Sequence, residues 1–352
     1  MKRLATSAME GRVRRTIVGA CLFLGLSLLT LVASRSSGAN PAAKTAVVKT
    51  VAQSALGAAP ADGWTKPTMV MGAKACIRCH RSEYLAWTTT KHYKADAYLA
   101  SFEAKTKEYA EAMGITEDAL QTSMCANCHS TTQTNAKGQL QAISGVSCES
   151  CHAPAKNWID VHQDFGGKDA TSKTEKAEHR KARIAKLDAA GMIRPMNIYN
   201  LAANCFQCHT VPFEKLVNVG GHTPGSKFEL VSWSQGEVRH NFVASQEKSN
   251  VEASPKRKRV LFMVGKAVEL EYNLRGVAKA TKKNTYAVKM ARRAKAAMDT
   301  FKKVAGAVST PEVKEILAVA ASVKLKLNNE AALLAAADKI SKSAQKLAAS
   351  YD

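Results

Sequence analysis

Past Pro255 the 352-residue sequence has no cysteine, no histidine and no tryptophan. Nothing in the segment 255–352 can therefore carry a thiol-attached or imidazole-ligated group. Strand signals are weak throughout, which argues against a mainly β fold. Acidic side chains are scarce, 29 against 51 Lys plus Arg, leaving a formal net charge of +22 and favouring acidic or anionic partners. Of nine cysteines only Cys21 stands outside four short motifs, so no thiols remain for a separate disulfide framework.

Those four motifs are the most informative content of the chain. They are Cys76-Ile77-Arg78-Cys79-His80, Cys125-Ala126-Asn127-Cys128-His129, Cys148-Glu149-Ser150-Cys151-His152 and Cys205-Phe206-Gln207-Cys208-His209. Each reads as a c-type haem attachment site, in which two thiols add to the vinyl groups of one haem and the adjacent histidine becomes the proximal iron ligand. Structural zinc or four disulfides would also use paired cysteines, but neither requires a histidine after every pair. The expectation is four covalently attached haem c groups, held by Cys76, Cys79, Cys125, Cys128, Cys148, Cys151, Cys205 and Cys208, with His80, His129, His152 and His209 as proximal ligands.

Haem is coupled to such motifs outside the cytoplasm, and the N-terminus supplies a route there. Arg12, Arg14 and Arg15 precede an apolar run over 16–33, and Ser37-Gly38-Ala39 offers a small-x-small cleavage site. Residues 1–39 read as a secretory signal and the protein as periplasmic; the alternative is an uncleaved anchor, for which the run is just long enough. A lipoprotein signal at Cys21 fails because most of the apolar run follows it. Residues 40–66, Ala-rich and interrupted by Pro41 and Pro60, read as a flexible linker.

Two regions follow. The segment 255–352 carries apolar stripes at alternating spacings of four and three: Met263, Ala267, Leu270, Leu274, Val277; Met290, Ala294, Ala297, Phe301, Val304; Val313, Ile316, Ala320, Val323, Leu327; Leu333, Ala337, Ile340, Ala344, Leu347. Thr310 with Pro311 behind it is a helix start, and Gly306 and Asn328-Asn329 sit where turns are needed. Four amphipathic helices with short connections predict an antiparallel four-helix bundle, and 21 Lys plus Arg against 8 Asp plus Glu make it basic. The segment 67–251 must surround four macrocycles with about 185 residues, too few to give each haem its own core. The haems must share walls, and the 18 residues between the second and third motifs bring those two especially near. Residues 91–113 and 172–190 read as helices. The fold class expected is mainly α: a haem-packed helix-and-loop tetrahaem domain followed by the bundle.

The sixth ligand of each iron separates electron carriage from catalysis. Five histidines are left: His92, His162, His179, His222 and His240. His179 lies on a charged helical face, Glu175-Lys176-Ala177-Glu178-His179-Arg180-Lys181, and reads as solvated. Met113, Met124, Met192 and Met196 could serve as sixth ligands, although methionine is more often a core filler. Trp87, Trp158 and Trp233 read as packing against haem or closing the core.

Trp87 is followed five residues later by His92, and the third motif stands in Gly145-Val146-Ser147-Cys148-Glu149-Ser150-Cys151-His152 with His162 ten residues on. Over about residues 73–211 these patterns resemble the tetrahaem cytochrome c-554 family, which is linked to multihaem nitrogen-cycle enzymes. The resemblance implies a crossed arrangement in which His92 serves the third haem and His162 the first. It also implies that a later histidine serves the fourth haem and that the second lacks a sixth protein ligand. Here two later candidates exist, His222 and His240; either could cap the fourth haem and the other close the second.

The favoured function is an exported electron-transfer protein with mostly bis-histidine haems, passing electrons between redox partner proteins. The alternative is an oxidoreductase acting on a small nitrogen species at an open second haem. None of the motifs ends in lysine, and four haems fall short of the eight per subunit in hydroxylamine oxidoreductases. Expected partners are acidic or membrane-bound redox proteins, with the basic bundle docking onto an anionic membrane surface or a larger complex; nucleic acid is excluded for an exported chain.

Overall fold

A computed structural model describes residues 66–101, 103–116 and 123–351. The expected export segment 1–39 and all but the last residue of the linker 40–66 lie outside the described residues. The chain is mainly helical, with fourteen α-helices among the described residues. In chain order they are α1 (Arg81–Thr88), α2 (Ala95–Ser101), α3 (Glu103–Met113), α4 (Ser123–His129), α5 (Cys148–His152), α6 (Ile159–Gln163), α7 (Ala177–Ala189), α8 (Ile198–His209), α9 (Glu214–Asn218), α10 (Leu230–Ser234), α11 (Pro255–Lys279), α12 (Thr285–Ala305), α13 (Pro311–Ser322) and α14 (Glu330–Tyr351). Helices α2 and α3 fall within the expected helical span 91–113, and α7 within 172–190.

One antiparallel hairpin, β1 (Thr131–Thr134) and β2 (Leu140–Ser144), fills the short connection between the second and third motifs. Its turn is built locally. Asn135 Oδ1 accepts from the amides of Lys137 at 2.9 Å and Gln139 at 3.0 Å, and Gly138 takes the left-handed φ of +77° that the reversal needs.

The C-terminal helices begin where capping chemistry places them. Ser254 Oγ accepts from Arg257 N ahead of Pro255, and Thr310 Oγ1 accepts from Val313 N ahead of Pro311. At α12 Asn284 Oδ1 accepts instead from the next amide, Thr285 N, at 2.7 Å. The apolar stripes then meet: α11 packs on α12 and α14, and α13 packs on α12 and α14. Leu270, Leu274, Met290, Ala294, Val313, Ile316, Leu333, Ala337, Ile340 and Ala344 are fully buried along these contacts. Close approach is made possible by Gly276, where a Cβ would stand 2.9 Å from Met290 Sδ.

Helix α11 is buried on more than its stripe. Val260, Leu261, Val264 and Val268 are also buried, because α8 and α10 cover that second face. Ile198, Tyr199, Ala202, Ala203 and Phe206 of α8 therefore share one continuous hydrophobic core with the C-terminal helices. Gly265 marks the α10 contact: a Cβ there would meet Leu230 Cβ at 2.9 Å. A polar network fixes the α8 register inside this core. Tyr199 Oη donates to Glu271 Oε2 at 2.9 Å and bonds Ser341 Oγ at 2.6 Å, while Arg275 spans Glu271 and Asp338. Burial pushes the Glu271 carboxyl upward and the adjacent Arg275 guanidinium opposes that push. The helix carrying the fourth motif is thus anchored by the segment that carries no motif at all.

Candidate haem-binding site

A helical turn puts residues i, i+3 and i+4 on one face, which is what Cys-x-x-Cys-His needs. The second, third and fourth motifs lie on α4, α5 and the end of α8, and the first on the turn leading into α1. All eight motif cysteines, with His80, His92, His129, His152, His162, His209, His222 and His240, line one cavity of about 2480 Å³. A pocket for one small ligand is about 300–1,000 Å³, so this space fits several bulky groups. Trp87, Trp158, Trp233, Met124, Met192 and Met196 line it too. Met113 instead packs with Phe213 and Leu216.

Thiols of different motifs meet. Cys76 is hydrogen-bonded to Cys148 and Cys128 to Cys208, and Cys151 faces Cys208; burial pushes the Cys151 thiol up to about 11. The eight cysteines are free, and among the described residues no three His, Cys, Asp or Glu side chains converge as a metal-ion site would require.

The histidines fall into four pairs, each joining one motif histidine to one later or earlier partner. Ring centres are 6.2 Å apart for His80 and His162, 6.4 Å for His129 and His222, 6.1 Å for His152 and His240, and 6.1 Å for His209 and His92. Two imidazoles binding one metal ion from opposite sides, each with a bond of about 2 Å, have ring centres about 6 Å apart. In five of the eight the outer nitrogen is already committed. His152 Nδ1 bonds the Ile193 carbonyl at 2.8 Å, His209 Nδ1 the Ser226 hydroxyl at 2.6 Å, His222 Nδ1 the Thr223 carbonyl at 2.8 Å and His240 Nδ1 the Val238 carbonyl at 2.6 Å. His162 Nδ1 bonds the Ile159 carbonyl. That choice of tautomer leaves Nε2 as the ligating atom. Burial favours the neutral form, which a ligand needs, in five of the rings. It lowers His92, His152 and His162, and takes His129 to about 4 with help from His222, and His209 to about 4 with help from His92 and Arg293.

The partner of His80 is the one the resemblance implied; that of His92 is not. His92 stands opposite His209 rather than His152, and His240 takes the place opposite His152. The chain's route explains the exchange. Gly145 lies so close to the 92–93 backbone that a Cβ there would be 2.5 Å from the His92 carbonyl oxygen, and Lys91 N donates to Glu237 Oε1 at 2.7 Å. These contacts direct His92 past the third motif to Trp233 and His209, 6.5 Å and 6.1 Å away. His222 is brought to His129 by its two glycines: Gly221 adopts φ +83°, and His222 N then donates to the Leu216 carbonyl at 3.1 Å. His179 lies apart from the cavity but is half-buried rather than solvated, because it packs against the buried Glu175 carboxylate and bonds it at 2.8 Å.

Three buried donors that line the cavity have no acceptor: Asn127 Nδ2, Trp158 Nε1 and Arg239 Nε. Buried donors demand partners, and a group bearing carboxylates, as haem does in its propionates, supplies them. The residues present fit that group.

Sequence reasoning missed two supporting residues. Arg293 of α12 passes beside Gly225, where a Cβ would sit 1.8 Å from its Nη1, to donate to the His209 carbonyl at 3.3 Å. Glu149, between the cysteines of the third motif, is buried and accepts from Met71 N at 2.9 Å, Gly72 N at 2.6 Å and Ala155 N at 2.7 Å. It clips the approach to the first motif onto the third. Its position inside a motif was the available signal. Replacing Glu149 with alanine strands these amides, and charge-assisted bonds of about 1.5–3 kcal/mol each put the loss at about 3 kcal/mol or more. A denaturant midpoint should fall accordingly, with Glu149→Gln losing less.

Residues 75–153 match the family described as cytochrome c554 and c-prime. Cytochrome c-554 of Nitrosomonas europaea is 30% identical over 119 residues, 31% of this chain and 48% of that protein. The chain thus spans about half the length of the curated relative it matches. No solved structure matches it. The motifs, the cavity and this match agree, and residues 75–153 are similar to the c554-type cytochromes.

Proposed function

We propose that the chain is an exported, periplasmic tetrahaem cytochrome that carries electrons between redox partner proteins, each of its four haems held by two histidines. The four histidine pairs at 6.1 to 6.4 Å carry this reading. His80 with His162 would hold the haem of Cys76 and Cys79, His129 with His222 that of Cys125 and Cys128, His152 with His240 that of Cys148 and Cys151, and His209 with His92 that of Cys205 and Cys208. Each bound group supplies a one-electron iron couple. The chain's own work is to orient the axial imidazoles, five of them fixed by Nδ1 bonds, and to wall the cavity from water with Trp87, Trp158 and Trp233. The alternative, catalysis on a small nitrogen species at an open second haem, lacks such support: His222 stands where the open position would be.

The C-terminal helices are read as an antiparallel bundle serving two ends. They complete the core behind the fourth motif, and their basic surface favours an acidic redox protein or an anionic membrane surface as the docking partner. Among the described residues no helix is long and apolar enough to cross a membrane.

Haem quantification with electron paramagnetic resonance on the oxidised protein tests the proposal. Four haems per chain with only low-spin ferric signals are expected. A high-spin signal amounting to one haem would overturn bis-histidine ligation throughout and return the enzymatic reading.

A further inference from the structure

Behind His80, on the first turn of α1, lies a carboxylate with nothing to bind. Both oxygens of Glu83 are buried and lack any hydrogen-bond partner, and the side chain lines the haem cavity. Leaving an ionised carboxylate in that condition costs several kcal/mol, and a neighbouring donor removes the cost. The neighbour is His80, whose Nδ1 is 3.8 Å from Glu83 Oε2. With His80 Nε2 committed to iron its Nδ1 carries the proton, and Glu83 Oε2 is the carboxylate oxygen 3.8 Å from it, close enough for its charge to act on the ring. His152 and His209 differ, since their Nδ1 atoms meet a neutral carbonyl and a neutral hydroxyl.

We propose that Glu83 is a positioning residue that holds His80 as an unusually basic ligand and thereby makes the first haem harder to reduce than a neutral acceptor would. This rests on the reading of Cys76, Cys79 and His80 as a haem site. A carboxylate accepting from a ligating histidine pushes electron density onto the metal and favours its more highly charged, ferric state. The negative charge of Glu83, held in a water-poor cavity wall, acts in the same direction.

The test is a spectroelectrochemical titration of the full haem-loaded chain, comparing wild type, Glu83→Gln and Glu83→Ala, with haem content measured on each sample. Glu83→Gln keeps the side-chain shape and one acceptor oxygen while removing the charge. Four haems should remain in it, and one midpoint potential should rise by at least tenfold in the reduction equilibrium, about 59 mV for one electron, while three stay in place. Glu83→Ala should move the same haem in the same direction. Four unchanged potentials in Glu83→Gln would overturn the proposal, and so would a shift spread over several haems or the loss of a haem from that variant, since either means a role in folding. Fewer than four haems in the wild type would sink the underlying haem assignment, which keeps the two failures distinguishable.

Discussion

Replacing His222 by alanine should convert one haem of the four from low-spin to high-spin while leaving haem content unchanged. On the proposed ligation, the thioether bonds of Cys125 and Cys128 and the proximal ligand His129 would not depend on residue 222, so the second haem should stay attached. What is lost is the second strong-field ligand, because His222 is the ring 6.4 Å from His129. Folding should tolerate the change. His222 sits in a surface loop, half-buried, with its own Nδ1 bonded only to the next residue's carbonyl, and truncations at such positions cost little. Integration of the high-spin signal against total haem gives the readout, and added imidazole should restore the low-spin form. His179→Ala is the control and should change nothing, because His179 pairs with Glu175 outside the cavity. Four low-spin haems in His222→Ala would show that the second iron takes its ligand from elsewhere.

The second large effect concerns the segment without motifs. Ending the chain at residue 254 should abolish recovery of soluble haem-loaded protein. Ile198, Tyr199, Phe206 and Leu230 are at most 4% exposed, and they rest in the core shared with α11. Each large side chain returned to water loses about 1.5–3 kcal/mol, so four of them approach the 5–15 kcal/mol that holds a whole domain together. Tyr199 would also lose Glu271 and Ser341. Haem staining and solubility of the truncated chain are the measurements. A soluble truncated protein with four haems and an unaltered visible spectrum would mean that the C-terminal helices serve docking alone.

Some of this architecture was legible in the sequence because it is written in short-range periodicity. The stripes from Met263 to Leu347 mark buried helix faces at most positions, although α13 ends at Ser322 and leaves Val323 and Leu327 half-buried in the connection beyond it, and the four Cys-x-x-Cys-His motifs mark the cavity wall. The change of composition at Pro255 was legible as well, but it misdirects: it suggests a separate core, whereas Val260, Leu261, Val264 and Val268 give α11 a second apolar face that needs a partner. The 131–144 hairpin escaped because its strands are short and polar, with threonines rather than large aliphatic residues. The pairing of the histidine rings escaped for a different reason. Spacing limits which histidine can reach which iron, but the choice between His152 and His209 for His92 is made by Gly145 and Glu237, far away in sequence.

The meeting of thiols across motifs bears on the order of events as the chain matures. In the folded structure Cys76 touches Cys148 and Cys128 touches Cys208. In an oxidising compartment, thiols so placed cross-link whenever they are left unmodified. Folding ahead of haem attachment would bring these pairs together and seal the chain in a dead-end state. On the proposed export and haem loading, attachment would have to outpace collapse, and the final compactness would be safe only for a chain whose sulfurs are already spent.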